Sequence, residues 1–318
     1  MSGTFGMTIL IDWGTDTLRW SAEDESFSMP NLAVSVSNRQ KVCAVGNEAA
    51  TLLREHPELH ALVPPRGILF ADTEAIIAQL HEIRQQTVRE KPWWKRLLLP
   101  RIFAAVPLGT TEFEAHGFSP ILKQEGQSVI LIEAPTAAAA GCGYRPEEET
   151  PFAVLDLGAG FTQFAVLRNG VILSSGVLRR GGRDLDTALK RYCRKQSDAD
   201  PSIAEVREAK TIWNRHDSLR IGSLQLEKSE LRKLWTPYWE QVAQMIEETL
   251  NDPVLHREVA ERGVTMVGGL SQMPGFGEFL SERLGMRFQT ANNPSGAVLH
   301  GLEKLLPELS SKVWQHRR

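Results

Sequence analysis

Two short segments carry the residues best suited to chemistry. Asp12-Trp13-Gly14-Thr15 closes the apolar run Met7–Asp12 (MTILID), and Asp156-Leu157-Gly158-Ala159-Gly160 closes Phe152–Asp156 (FAVLD). In each, a glycine just past a strand lets backbone N–H groups come close to a phosphate, where a side chain would stand in the way. The carboxylate before it suits a hydrated Mg2+, which takes a few oxygen ligands and keeps several waters. Thr15 adds a hydroxyl. A third segment, Val264–Gly275 (VTMVGGLSQMPG), reads as a strand ending in Gly268-Gly269, a turn able to lie flat against a ribose or an adenine. Each segment alone is a common structural turn. Together and in this order they point to a nucleotide site.

The elements that must hold these loops follow from periodicity. Each Asp-bearing loop leads into a second strand, Leu18–Ala22 after the first and Phe164–Arg168 after the second. Asn169-Gly170 then supplies the positive φ angles of a tight hairpin into Val171–Ser175. One pattern, strand–loop–strand with Asp at the turn, thus occurs twice about half a chain apart, which predicts a duplicated domain with a cleft between the copies. Helical stretches alternate with the strands. Thr73–Arg89 places Ile76, Ile77, Leu80 and Ile83 on one face; Ala134–Gly143 is a run of small residues that permits close packing; Asp184–Lys195 and Ile203–Trp213 follow. Ser229–Leu250 has an apolar stripe from Leu231 to Leu250, read as core packing, with Pro237 expected to kink or break it. Tyr144–Thr150 (YRPEEET) is the best linker candidate between the halves.

Composition narrows the class. The 318 residues suffice for two cores, and a net charge of −3 gives no general attraction to nucleic acid or anionic membrane. Cys43, Cys142 and Cys193 lie far apart with no CxxC, which argues for a reducing compartment and against a zinc site. His56 and His60 are four apart but have Pro57 between them and no further ligands nearby, so they read as a solvated pair. No basic region precedes a long apolar stretch at the N-terminus and no run reaches the ~20 apolar residues of a spanning helix, so the expected location is cytoplasmic, at most peripheral on a membrane.

The order of first phosphate loop, small-residue helix, second phosphate loop and adenosine loop resembles the superfamily of actin, heat-shock chaperones and sugar kinases. Within it the chain resembles the MreB family over nearly its full length. Val45–Ala49 (VGNEA), Arg66–Asp72 (RGILFAD), Pro100–Gly109 (PRIFAAVPLG), Leu131–Ala140 (LIEAPTAAAA) and Gly181–Asp186 (GGRDLD) look like segments of that family in its order, while the Met-Pro-Gly of the adenosine loop is nearer to actin and the chaperones. No chaperone peptide-binding domain fits after residue 305.

The resemblance implies a cofactor, ATP or ADP with Mg2+. It implies that Asp12, Gly14 and Thr15 lie near the β/γ-phosphates with Asp12 and Asp156 around the metal. Gly158, Ala159 and Gly160 would hold the phosphates from the other side. Gly182, Gly268 and Gly269 would contact the nucleoside, and Lys210 matches a lysine near the adenosine, although a solvated helix lysine looks the same. It also implies an α/β, actin-like fold of two ribonuclease-H-like domains with nucleotide in the cleft between them. The expected division is 1–143 with a subdomain at about 33–65, 144–305 with a subdomain at about 187–262, and a tail, 306–318, returning to the first domain.

Three departures fall on the hydrolytic parts. The glutamate that positions the attacking water in the MreB family is replaced by Ala134, and the first threonine after the second-loop glycines by Phe161. The first loop, DWGTDTL, is one residue shorter than in the family. Loss of a water-orienting group removes roughly 10²–10⁴-fold in rate, so the reading is a nucleotide binder with weak or absent ATPase activity. The competing reading is a rewired site in which Glu133 or Gln163 takes over.

Lys91–Arg101 (KPWWKRLLLPR) interleaves Trp93, Trp94, Leu97, Leu98 and Leu99 with basic residues. Tryptophan favours the headgroup region and leucine the acyl boundary. The bland alternative is a buried loop or a protein contact, but two adjacent tryptophans followed by three leucines cannot easily all face one core. In the resemblance the segment falls where the family carries its membrane-insertion loop. The expectation is thus a membrane-associated filament on the inner membrane surface, self-associating head to tail and working with envelope or wall-assembly proteins, without nucleic acid. A non-polymerising adaptor is the main alternative, and a phosphotransfer enzyme the third.

Overall fold

The computed structural model describes residues 7–36, 41–56, 58–62, 73–197, 200–213 and 215–315, with side chains described up to residue 307. The resemblance segment Arg66–Asp72 lies outside the described residues, as do parts of the expected subdomain 33–65 and of the expected tail 306–318. Two compact units divide the chain. Met1–Gly141 with Val298–Arg318 form the first, and Cys142–Ala297 the second.

In the first unit, β1 (Thr8–Trp13), β2 (Thr17–Ala22), β3 (Glu25–Pro30), β4 (Ala33–Ser35), β5 (Val42–Val45), α1 (Gly46–Glu55), β6 (His60–Leu62), α2 (Thr73–Val88), α3 (Trp93–Arg96), β7 (Arg101–Val106), α4 (Glu112–Leu122), β8 (Ser128–Glu133) and α5 (Ala134–Gly141) follow one another. Among the described residues the main sheet runs β3-β2-β1-β7-β8, with β1 antiparallel to β2 and parallel to β7. A central position explains why β1 reads as an unbroken apolar run: Ile9, Leu10 and Ile11 are all buried. Ile76, Leu80 and Ile83 of α2 turn inward onto the same core as Ile9, Ile11 and Trp20, as their helical spacing requires. The strands β5-β4-β6 and α1 gather a small separate cluster of Val34, Ala44 and Ala49.

The second unit holds β9 (Phe152–Leu157), β10 (Thr162–Arg168), β11 (Val171–Leu178), α6 (Gly182–Ser197), α7 (Ile203–Ile212), β12 (Ser218–Ile221), β13 (Leu224–Glu227), α8 (Lys228–Thr249), α9 (Pro253–Arg262), β14 (Val264–Val267), α10 (Phe276–Leu284) and β15 (Phe288–Thr290). Its main sheet, again among the described residues, is β11-β10-β9-β14-β15. The scheme repeats that of the first unit: two antiparallel pairings, then two parallel ones. Asn169 and Gly170 have φ of 51° and 74°, the double positive turn expected of that pair.

Of the kink or break expected at Pro237, the break does not occur; α8 is one helix of 22 residues with the proline inside it. An interior proline costs about 3 kcal/mol. Here Trp235, Tyr238 and Trp239, on either side of it, are all buried in a cluster with Trp213 and Phe276. Burying three aromatic side chains is worth more than the lost hydrogen bond. Tyr144, the first residue of the expected linker, is likewise buried, and its hydroxyl accepts a hydrogen bond from the Gly170 N–H at 2.9 Å.

The last helix, α11 (Ala297–Gln315), returns the chain to the first unit. It crosses α5, whose Ala137, Ala138 and Ala139 are fully buried, at Gly301. A Cβ at Gly301 would overlap the Ala137 carbonyl oxygen and lie 2.9 Å from the Gly141 nitrogen. The run of small residues therefore serves a backbone-to-backbone approach. Gly301→Ala should lower the stability of the protein by on the order of 3 kcal/mol, the upper part of the usual overpacking range, read as a fall in the urea midpoint. An unchanged midpoint would show that the helices separate freely.

Candidate functional site

The first candidate phosphate loop belongs to the first unit. Asp12 is near the end of β1, paired across the sheet with Arg19 of β2 and Ala105 of β7. Gly14 and Thr15 lie in the loop between β1 and β2. Burial pushes the Asp12 carboxyl up to about 6, against the pull of the Arg19 guanidinium, whose nitrogen stands 3.9 Å away. Desolvation wins because one partly exposed cation at that distance does not replace the lost water. An under-compensated carboxylate of this kind fits a cation.

Two residues missed by the sequence reading hold this loop. Asn31, buried just after β3, donates from Nδ2 to the Gly14 carbonyl at 2.9 Å, and its backbone N–H donates to the Asp16 carbonyl. Gln79 of α2, also buried, donates to the Asn31 Oδ1 at 2.9 Å. A signal existed: Gln79 falls three residues after Ile76 on the face that is otherwise apolar. A buried amide with satisfied partners is a bracing device.

The second unit brings together most of the remaining candidates. Asp156, 8% exposed, is the penultimate residue of β9, beside Gln163 of β10, its cross-strand partner, and the Gln163 Nε2 donates to the Asp156 Oδ2 at 3.0 Å. Gly158, Ala159 and Gly160 form the turn, closed by a hydrogen bond from the Gly158 N–H to the Phe161 carbonyl. Both carbonyls that follow Leu157 face the start of α6: Gly182 N–H donates to Gly158 at 3.0 Å and Arg183 N–H to Ala159 at 2.9 Å. Asp184 fastens the same corner by accepting from the Gly181 N–H.

Lys210 is not a solvated helix lysine. Its ammonium forms an ion pair with the buried Asp186 of α6 at 2.5 Å and donates to the Gly182 carbonyl at 3.1 Å. This places it, Gly182 and the second loop in one neighbourhood. On the other flank, Gly268 has φ of 82° and meets the end of β9: a Cβ there would overlap the Leu157 carbonyl oxygen and come within 2.8 Å of the Asp156 Oδ1. Beside it, a Cβ on Gly269 would meet nothing within 4 Å, so this turn faces open space. Acidic oxygen donors, side-chain-free turns and a largely covered lysine suit a nucleotide with its magnesium ion. Among the described residues no three His, Cys, Asp or Glu side chains gather, so an ion held here would draw most of its ligands from phosphate and water.

The replaced positions are also defined. Ala134 opens α5 and is buried, while Glu133, the last residue of β8, is exposed. Phe161 is buried. Gln163, one of the two side chains weighed as a substitute, has its amide nitrogen turned onto Asp156.

Lys91–Arg101 forms a separate surface on the first unit. Trp93 and Leu97 are 74% and 71% exposed, and Trp94, Leu98 and Leu99 are exposed as well. Such a contiguous apolar stretch in water marks a contact site. Among the described residues no helix is long and apolar enough to cross a membrane.

The model of the family described as MreB/Mbl protein matches residues 7–213 and 219–313. The cell shape-determining protein MreB of Escherichia coli (strain K12) is 27% identical, over 96% of this chain and 94% of its own. Among solved structures, MreB 5 of Spiroplasma citri bound to AMPPNP superimposes with a TM-score of 0.87 at 18% identity, covering 99% of this chain and all of that one. A MamK double helical filament gives a TM-score of 0.77 at 14% identity, covering 95% and 98%. The likeness to these structures shows that the fold is actin-like.

Proposed function

This chain belongs to the MreB/Mbl family, and on that premise we propose that it is a cytoskeletal protein that binds ATP with Mg2+ and forms membrane-associated filaments serving cell shape or organisation, with weak or absent hydrolysis. The observation that carries the nucleotide reading is the convergence of Asp156, the Gly158–Gly160 turn, Gly182, Lys210 and Gly268 in the second unit. The solved relative MreB 5 of Spiroplasma citri is described as bound to AMPPNP. In this reading Asp12 and Asp156 each offer a carboxylate to a hydrated ion, and each glycine turn offers backbone N–H groups to phosphate. Magnesium, when bound, neutralises charge on the phosphate oxygens. The residues of this chain bind and orient; the parts that would activate water are replaced by Ala134 and Phe161.

Filament formation is supported by the MamK structure, which is a double helical filament. Head-to-tail contacts between identical subunits do not close on themselves and so propagate. The exposed Trp93–Leu99 stretch supports peripheral attachment to the inner face of the cytoplasmic membrane, where envelope or wall-assembly proteins work.

Calorimetric titration should show ATP binding that requires Mg2+, with phosphate release near background. Ala134→Glu, which restores a carboxylate at the water-positioning place, should raise release by about tenfold or more. Turnover already at the level of ordinary relatives would refute the weak-hydrolysis reading, and no binding by calorimetry would refute the nucleotide reading itself. Negative-stain images of the protein with and without ATP test the filament; particles that stay monomeric in both favour an adaptor.

A further inference from the structure

We propose that the Trp93–Leu99 surface docks on a bilayer by apolar insertion, with its lysines neutralised from within the protein, so that neutral phosphatidylcholine surfaces serve it as well as anionic ones. The inference rests on the membrane reading above. A stretch of tryptophan and leucine flanked by lysines ordinarily reads as two signals at once, apolar insertion plus attraction to anionic lipid. Here the second signal is cancelled by contacts far away in sequence.

Lys91 Nζ lies 3.0 Å from Glu23 and 3.3 Å from Glu25, and Lys95 Nζ lies 2.7 Å from Glu23. Glu23 sits in the turn between β2 and β3 with φ of 55°, a left-handed conformation that aims its carboxylate at both lysines. Hydrogen bonds from Lys95 and Lys91 hold that carboxyl below the usual range. Lys91 is mostly covered, its side chain 16% exposed, so a lipid phosphate would have to displace two carboxylates to reach it. Arg96 is exposed but tied to its own loop, donating from Nε to the Lys91 carbonyl and from a terminal nitrogen to the Arg89 carbonyl. Over 23–25 and 89–101 there are five basic and four acidic side chains, a net charge of 5 − 4 = +1. The apolar side chains point outward while the lysine charge is spent.

Co-sedimentation with vesicles of phosphatidylcholine alone, and of phosphatidylcholine with phosphatidylglycerol, tests this directly. Binding to the two should agree within about threefold and respond little to salt. Glu23→Gln/Glu25→Gln frees two lysines, each worth roughly fivefold on an anionic surface, and should tighten binding to the anionic vesicles about 25-fold while leaving the neutral ones unchanged. Glu23→Gln/Glu25→Gln/Lys91→Gln/Lys95→Gln, which removes the paired charges together and leaves every apolar side chain in place, should bind both vesicles as the parent does. Three results would overturn the inference alone: parent binding confined to anionic vesicles, an unchanged lipid preference in the glutamate variant, or loss of anionic binding in the fourfold variant. Failure of the parent to sediment with either vesicle would instead overturn the membrane reading and the inference with it.

Discussion

Trp93→Ser/Trp94→Ser should weaken co-sedimentation with phospholipid vesicles by roughly 10²-fold while leaving the folded protein unchanged. Both halves of that expectation come from exposure. Trp93 is 74% and Trp94 45% exposed, and neither contributes to the core of the first unit. A tryptophan carries roughly 200 Å2 of surface, so the pair offers on the order of 200 Å2 to a bilayer. At about 25 cal/mol per Å2, even half of that area inserted is worth about 2.5 kcal/mol, or nearly 10²-fold in affinity. Leu97, Leu98 and Leu99 add to the same face, so the pair variant retains residual affinity only at high lipid. The cost to folding is small, because exposed side chains lose little on truncation and the Lys95–Glu23 contact does not pass through either ring. Unaltered sedimentation of the variant, with an unaltered unfolding midpoint, would assign these tryptophans to some other contact.

The second large effect concerns Asp12. In the ligand-free protein its carboxyl is raised from 3.8 to about 6, chiefly by burial. A group whose pKa is higher folded than unfolded contributes stability that is complete below about 3.8 and is lost as pH rises through about 6. The shift of 6 − 3.8 = 2.2 units corresponds to on the order of 3 kcal/mol, present at pH 4 and gone by pH 7. Asp12→Asn has no such proton to lose. The ligand-free variant should therefore match the parent in acid and exceed it at neutral pH by up to about 3 kcal/mol. The comparison must be a difference between parent and variant, because Glu23, Glu125, Glu205 and Glu230 are shifted down and pull the opposite way with pH. With Mg2+ and ATP the order should reverse, since only the parent can place a carboxylate against the cation. Thermal unfolding of both proteins, with and without Mg-ATP, across pH 4 to 8 measures this. A variant less stable than the parent in the ligand-free state at neutral pH would contradict the burial account of Asp12.

What the sequence discloses and what it hides divide along chain distance. Both Asp-x-Gly turns, the Asn169-Gly170 hairpin and the inward face of α2 are legible because their signals are local: a strand run, a turn dipeptide, a helical period. Pro237 misleads for the converse reason. Its local cost is plain in the sequence, while the compensating burial of Trp235 and Trp239 depends on Trp213 and Phe276. The bracing of Gly14 by Asn31 and Gln79, and the pairing of Lys210 with Asp186, join side chains that no period links. The neutralisation of Lys91 and Lys95 by Glu23 is hidden in the same way, since about 70 residues separate the partners. For the candidate site, then, the loop residues proposed to face metal and phosphate can be read off, and the groups that hold those loops cannot.

The course of the chain through the two units bears on how the protein is made. The second unit is one continuous stretch, Cys142–Ala297, inserted between two pieces of the first. On the ribosome, synthesis at roughly 5–20 residues per second delivers the whole of that stretch before Gly301 emerges. The alanine face of α5 must wait through that interval without the helix that covers it, so the inserted unit can complete its core while the older one is still unfinished. Newly made chains therefore pass through a half-built state in which the α5 face that Gly301 meets is not yet covered.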